Sequence, residues 1–249
     1  MITTIDCNNT KITIDLAKPI DISIPIDTKK QNINAWYVDD PTIKPVSLGE
    51  WIGSVSAGAD VNFNTINFNP HAHITHTECV GHITEEFYSI NNHLQRYFFL
   101  AELISVTPKK VGDDAVITKK QVKEQITNKN IEAIVIRTLP NNEQKTSARY
   151  SNTNPPYLTE EAAQYLKEIN VKHLLIDLPS VDKEKDEGKL LAHHAFWNTS
   201  EKIRLDATIT EFIYVPNTVE DGNYMINIMI APFANDATPS KPILYKILV

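Results

Sequence analysis

The sequence predicts an α/β protein: a mixed β core with a central parallel βαβαβ section and additional β-strands at both ends, in one domain spanning residues 1–249. Three observations predict it. The N-terminal third alternates polar and apolar side chains with period two, the mark of strands with one buried face. The middle holds three unbroken apolar runs of strand length separated by helix-forming stretches, as in parallel strands buried on both faces. The last quarter returns to strand-like segments.

The elements follow in chain order. ITTIDCN and TKITIDLA alternate, and DISIPI continues the pattern. VNFNTINFNP alternates through Val61, Phe63 and Thr65, then restarts at Ile66 and Phe68; the slip predicts a bulge or turn near Thr65 and Ile66. Asn69 and Pro70 close that segment. FFLAELISVTP, from Phe98, predicts the first buried strand. Thr118 and Gln121 have the spacing of a capping box, and Val122 and Ile126 share the face of the helix it opens. IEAIVIRTLP, from Ile131, predicts the second buried strand. Thr159 predicts the N-cap of the helix EEAAQYLKEIN, and HLLIDLPS, from His173, the third buried strand. Between them TSARYSNTNPPYLT is polar, proline-containing and long, as functional or lid-like loops are. ATITEFIYVP and NYMINIMIAPF predict two further strands, with Glu220-Asp221-Gly222 as the turn between them.

With 249 residues and 42% hydrophobic side chains, the chain can bury a substantial core. Its net charge of -7 argues against a nucleic-acid partner, which would want a basic face, and offers no attraction to anionic lipid. No apolar run approaches the ~20 residues of a membrane span. The N-terminus lacks a basic stretch followed by an apolar block, so no signal peptide is expected. Cys7 and Cys79 do not make a disulfide framework, and a cytoplasmic location is expected.

The chemistry concentrates in Asn69–His82, NPHAHITHTECVGH, which holds four of the chain's 8 histidines and a glutamate. His76 and Glu78 are two apart and share a face if extended, as do His71 and His73. His82 follows Gly81 and reaches the same cavity if the chain turns. Imidazole and carboxylate together suit Zn, Mn or Fe rather than Mg or Ca. A histidine also suits the general base that a hydrolytic metal site needs. The alternative is a histidine-rich turn whose rings pack locally. Further donors stand at His193-His194, which could equally end a helix, and at Glu211, a lone carboxylate in an apolar run that needs a partner, a metal or an outward face. Asp177 and Asp182 follow a buried strand, where α/β proteins place active-site residues or brace a loop. Cys79 offers a thiol inside the cluster, and Trp36, Tyr37 and Trp51 are aromatic candidates for a pocket lining.

The cluster resembles the signature H-x-G-T-H-x-D-x-P-x-H of the cyclase family, which includes kynurenine formamidases and isatin hydrolases. Aligned on Thr75-His76, the second histidine, the acidic position and the last histidine match at His76, Glu78 and His82. Asp21-Ile22-Ser23, IDLPSVD, His193-His194-Ala195, TITE ending at Glu211 and Asn235–Pro239 resemble further family motifs in the same order. The first signature histidine falls on Ala72, between His71 and His73; the family glycine is Ile74, the aspartate Glu78 and the proline Val80. The resemblance implies an α/β fold around a mixed β core, assembled as a homodimer or homotetramer. It implies a centre of one or two divalent ions, Zn or Mn, held by His76, Glu78, His193 and Glu211, with His71 or His73 in the vacant place and His82 as general base. It further implies hydrolysis of a C–N amide bond in a small arylformamide or cyclic amide by attack of metal-bound water. The competing expectation is a catalytically inactive ligand-binding or scaffold member of the family; a cysteine-dependent hydrolase built on Cys79 is a third.

Overall fold

Period-two alternation inside the apolar runs sets the architecture. The computed structural model of the chain describes residues 1–7 and 10–248. Seven strands form its centre: β1 (His76–Glu78), β2 (Phe98–Val106), β3 (Ala133–Thr138), β4 (His173–Ile176), β5 (Thr208–Glu211), β6 (Gly222–Ile230) and β7 (Ala237–Lys246). Their order is β6-β2-β3-β4-β5-β1-β7, and β7 pairs back onto β6, so the sheet closes into a mixed barrel. Neighbours from β2 through β5 are parallel, as the βαβαβ pattern predicts; the remaining pairs are antiparallel. Along these strands alternate residues face opposite sides. Ala101, Leu103, Ala133, Val135, Leu175, Ile226 and Ile228 pack together inside the barrel. Ile104, Ile134, Ile136, Leu174, Ile176 and Ile209 face outward onto a helical layer.

Three helices build that layer. Lys119–Gln125 opens with the expected reciprocal cap between Thr118 and Gln121, and Glu160–Glu168 is capped by Thr159. Leu191–Trp197 buries Phe196 and Trp197 completely, each contributing about 2–3 kcal/mol of apolar transfer energy.

Several expectations change. The strand β7 is not predicted, because Pro239 and Pro242 argue against a strand inside a sheet. Both nevertheless lie in its ladder, opposite His76 and Ile228, and the Pro242 carbonyl accepts from the Ile22 N–H. The hairpin expected at 220–222 is not made: β6 pairs with β2 and β7 rather than β5. Asp221 instead accepts from the Ser105 amide and hydroxyl and from Arg137. The slip near Thr65 is no bulge, for Asn64–Asn67 pairs with Thr42–Pro45 in unbroken register and Val61 and Phe63 lie outside that strand. DISIPI contributes only Asp21 to a strand, the two-residue Ile20–Asp21, plus an isolated bridge from Ser23 to Ile213. The long polar loop is tied down: Tyr150 donates to Asn34, and Tyr157–Leu158 pairs with Asp114–Ile117. Among the described residues no helix is long and apolar enough to cross a membrane.

Candidate metal centre

Register brings the donors together. His76 and Glu78 lie on one face of β1, and Glu211 of β5 sits directly opposite His76. They face the helical side of the wall, where Leu191–Trp197 lowers His193 onto them. Asp182 fixes that helix: its two oxygens accept from the Ala192 and His193 amides at 2.7 and 3.0 Å, and from His193 Nδ1 at 2.5 Å. His193 Nε2 then lies 3.2 Å from Glu78 Oε1. Glu211 is buried, held by the Val181 amide at 2.9 Å on Oε1, with Oε2 3.4 Å from His76 Nε2. Of the three settings open to Glu211, the solvent-facing one is thereby excluded: the carboxylate is buried and faces imidazole, which lowers the cost of its charge.

His71 arrives by a route that strict alternation misses. Pro70–His73 is a helical turn capped by Asn69, so residues on either side of Ile74 do not keep one extended register. Trp36 Nε1 and the Ala35 amide donate to the His71 and Ala72 carbonyls and brace the turn. His71 Nδ1 reaches to 3.1 Å from Glu78 Oε2, outside hydrogen-bond geometry, and Nε2 to 3.0 Å from Asp236 Oδ2. His73 goes elsewhere: its Nδ1 accepts from the Asn69 amide at 2.9 Å, and the ring is not among the clustered donors. Ile74 is extended (φ −154), a conformation that needs no glycine. The close approach falls instead at Gly81, where a Cβ would meet the Tyr88 carbonyl oxygen at 2.3 Å. That turn brings His82 round to 3.8 Å from Glu78 Oε2.

Two atoms test whether this set fits a cation. His76 Nε2 and Glu78 Oε2 are buried without hydrogen-bond partners and lie 3.9 Å apart. His76 Nδ1 contacts the Ile74 carbonyl at 3.1 Å; a carbonyl only accepts, so Nδ1 carries a proton and Nε2 is the nitrogen left to meet a cation. An orphaned lone pair facing an orphaned carboxylate oxygen is costly in a buried site and is relieved by a cation. Groups drawn from His71, His76, Glu78, His82, His193 and Asp236 bring donor atoms within 4.8 Å of one another; Glu211 is in none of these groups and adjoins them through His76 Nε2 at 3.4 Å. The donor set therefore fits a divalent transition metal.

The charges agree. Burial opposes protonation of His193, but Asp182 and Glu78 outweigh it and raise its pKa to about 10. Burial likewise opposes the charge on His71, and Asp236 and Glu78 raise its pKa to about 10. Glu78 is pulled well below the usual carboxylate range, against its burial, by His82, His193 and His71. In the metal-free protein two imidazolium rings thus offset the charge of the buried carboxylate, while its Oε2 still lacks a hydrogen bond.

The remaining candidates fall outside the cluster. His194 is exposed and meets Thr199. Asp177 pairs with Lys145 and Thr138 and braces a loop. Cys79 is fully buried on the barrel interior, its Sγ on the Tyr88 carbonyl and its thiol pushed up to about 11 by burial, which removes the thiolate a nucleophile needs. A cavity of about 330 Å³ opens onto the cluster, lined by Trp36, His71, His82, Ser180, Leu190 and His193 among others. Tyr37 is exposed and bonds Glu184, and Trp51 packs on Phe63 away from the cavity. Asp236 is the site residue that sequence reasoning does not single out; the Asn235–Pro239 motif is its one signal.

A closed barrel with imidazole and carboxylate donors converging at a cavity defines a candidate metal-centre protein. The chain belongs to the cyclase family, whose model matches residues 15–183. Solved structures share the fold over most of their length. A potential metal-dependent hydrolase with cyclase activity superposes with a TM-score of 0.65 at 16% identity, covering 92% of this chain and 97% of the other. A predicted metal-dependent hydrolase from Bacillus stearothermophilus gives 0.62 at 18%, covering 92% and 98%. An isatin hydrolase bound to the product analogue thioisatinate gives 0.65 at 14%, covering 92% of each chain. At these identities the likeness is one of fold. No curated protein matches the sequence significantly.

Proposed function

We propose that the protein is a divalent-metal-dependent hydrolase that cleaves the C–N amide bond of a small arylformamide or cyclic amide. The observation that carries this reading is the buried pair of unpartnered atoms, His76 Nε2 and Glu78 Oε2, beside a cavity. The hydrolase names of the fold neighbours support it.

His76, Glu78, His193 and Glu211 would hold the ion, with His71 in the place that Ala72 vacates. When bound there, a Zn or Mn ion supplies Lewis acidity, polarising a carbonyl and making water a stronger acid. His82 is the base. Its ring is partly exposed at the cavity, with Nε2 toward the cluster. It takes a proton at Nε2 from the attacking water and returns it to the leaving nitrogen as the C–N bond breaks. Trp36 and Leu190 wall the cavity and exclude bulk water from an aromatic substrate. The cavity volume falls at the small end for a ligand site, which suits one compact ring system.

The same reading includes a homodimer or homotetramer in the cytoplasm. Residues 42–67 hold two two-stranded pairings, Thr42–Pro45 with Asn64–Asn67 and Ser47–Leu48 with Trp51–Ile52, and Leu48, Trp51, Val55, Val61, Phe63 and Ile66 are all exposed. A two-stranded ribbon is marginal alone, and so much apolar surface calls for a second copy of the chain. Free thiols at Cys7 and Cys79 suit a reducing compartment.

The test is hydrolysis of formanilide by protein stripped with chelator and reloaded with Zn or Mn. Turnover that needs the ion and falls by about 10²–10⁴-fold in His82→Asn supports the reading. Turnover indifferent to chelator, or equal in His82→Asn, overturns it.

A further inference from the structure

Asp236 immediately precedes β7, in a rigid setting. Ala237 lies opposite Glu78, the Asp236 carbonyl accepts from the Cys79 amide at 3.0 Å, and the Asn235 carbonyl accepts from the Ile90 amide at 2.9 Å. This backbone presents the Asp236 carboxylate to the edges of two imidazoles at once. Its Oδ2 hydrogen-bonds His71 Nε2 at 3.0 Å and lies 3.3 Å from His82 Nδ1, outside hydrogen-bond geometry. The two rings are stacked, with centroids 4.2 Å apart and planes 25° from parallel.

A carboxylate oxygen accepts and does not donate, so each nitrogen facing it carries the proton. With that proton held on the Asp236 side, a cation or reacting water can be met only through the opposite nitrogen of each ring. His71 Nδ1 faces Glu78 Oε2 at 3.1 Å, and His82 Nε2 faces the same oxygen at 3.8 Å. We infer that Asp236 is a positioning residue shared by a ligand and the base: one oxygen fixes the tautomer and tilt of both rings, turning His71 Nδ1 to the cation site and His82 Nε2 to the reacting water. The inference rests on the hydrolase reading for the role of His82. The 3.3 Å contact is of the kind that tightens when substrate is bound.

The experiment compares wild type with Asp236→Asn and Asp236→Glu, both zinc-loaded. Two-bond proton–nitrogen NMR of the imidazoles reads the His82 tautomer, zinc titration reads affinity, and formanilide kinetics separate kcat from KM. Wild type should show His82 protonated on Nδ1. In Asp236→Asn, whose amide nitrogen donates, His82 should lose that single tautomer. Its kcat should fall about 10–100-fold and its zinc affinity by a similar factor, with stoichiometry and KM kept. Asp236→Glu, which keeps the charged carboxylate and both acceptor oxygens, should recover part of both. An unchanged tautomer in Asp236→Asn overturns the inference, as does complete loss of zinc, which would make Asp236 a ligand. The NMR reading does not need turnover. If the wild type proves inactive, the hydrolase reading fails while the orienting role is still decided.

Discussion

Raising the pH should destabilise the metal-free protein, and the structure sets the size of the effect. His193 binds its proton more tightly folded than unfolded, with a pKa raised from 6.5 to about 10 by Asp182 and Glu78 against its burial. Its stabilisation is complete below pH 6.5 and is lost as pH climbs through about 10. A shift of ~3.5 units at ~1.4 kcal/mol per unit gives a ceiling of about 5 kcal/mol, of which about 2–3 kcal/mol lies between pH 7 and 9. His71 shifts the same way but leans on the same Glu78, so the two do not add in full. Urea denaturation in chelator at a series of pH values from neutral to 9.5 measures the slope; His193→Gln should flatten it. Zinc competes with these protons, so loading should release up to about two of them at neutral pH and lessen the loss on raising it. Stability that stays flat or rises over this range without metal would refute the account of Glu78 as a carboxylate balanced by two imidazolium rings.

Three further outcomes are expected. Gly81→Ala should cost about 1–3 kcal/mol, read as a lower melting temperature, because its Cβ would meet the Tyr88 carbonyl oxygen at 2.3 Å. His71→Ala should weaken zinc binding by at least about tenfold in a competition titration, whereas His73→Asn should leave it unchanged, since the His73 ring serves the Asn69 amide. In a Cys7→Ser background, a thiol reagent should modify Cys79 only after unfolding, because its thiol is buried and pushed up to about 11.

The parallel section is legible in sequence because β2, β3 and β4 are buried on both faces and so read as continuous apolar runs, with Thr118 and Thr159 marking the helices between them. Closure of the barrel is not legible. It depends on β7, where Pro239 and Pro242 break the pattern expected of an interior strand, and on pairing between distant segments. His76, Glu78 and His82 are readable from spacing, since β1 is extended and Gly81 allows the turn. The choice between His71 and His73 is not, because a four-residue helical turn at Pro70–His73 resets which ring faces the barrel wall. The choice between His193 and His194 is likewise made by tertiary structure: Asp182 grips the helix and the His193 ring together. Asp236 contributes only because the β1–β7 register sets it beside Cys79 and Glu78.

The central claim is that the buried lone pair of His76 and the buried oxygen of Glu78 exist to hold a cation. Elemental analysis of chelator-stripped protein after incubation with Zn or Mn and removal of excess ion tests it most directly, with His76→Ala alongside. The account predicts stoichiometric metal in the wild type and its loss in His76→Ala. A wild type that takes up neither ion, or a His76→Ala variant that binds as well as wild type, would contradict it.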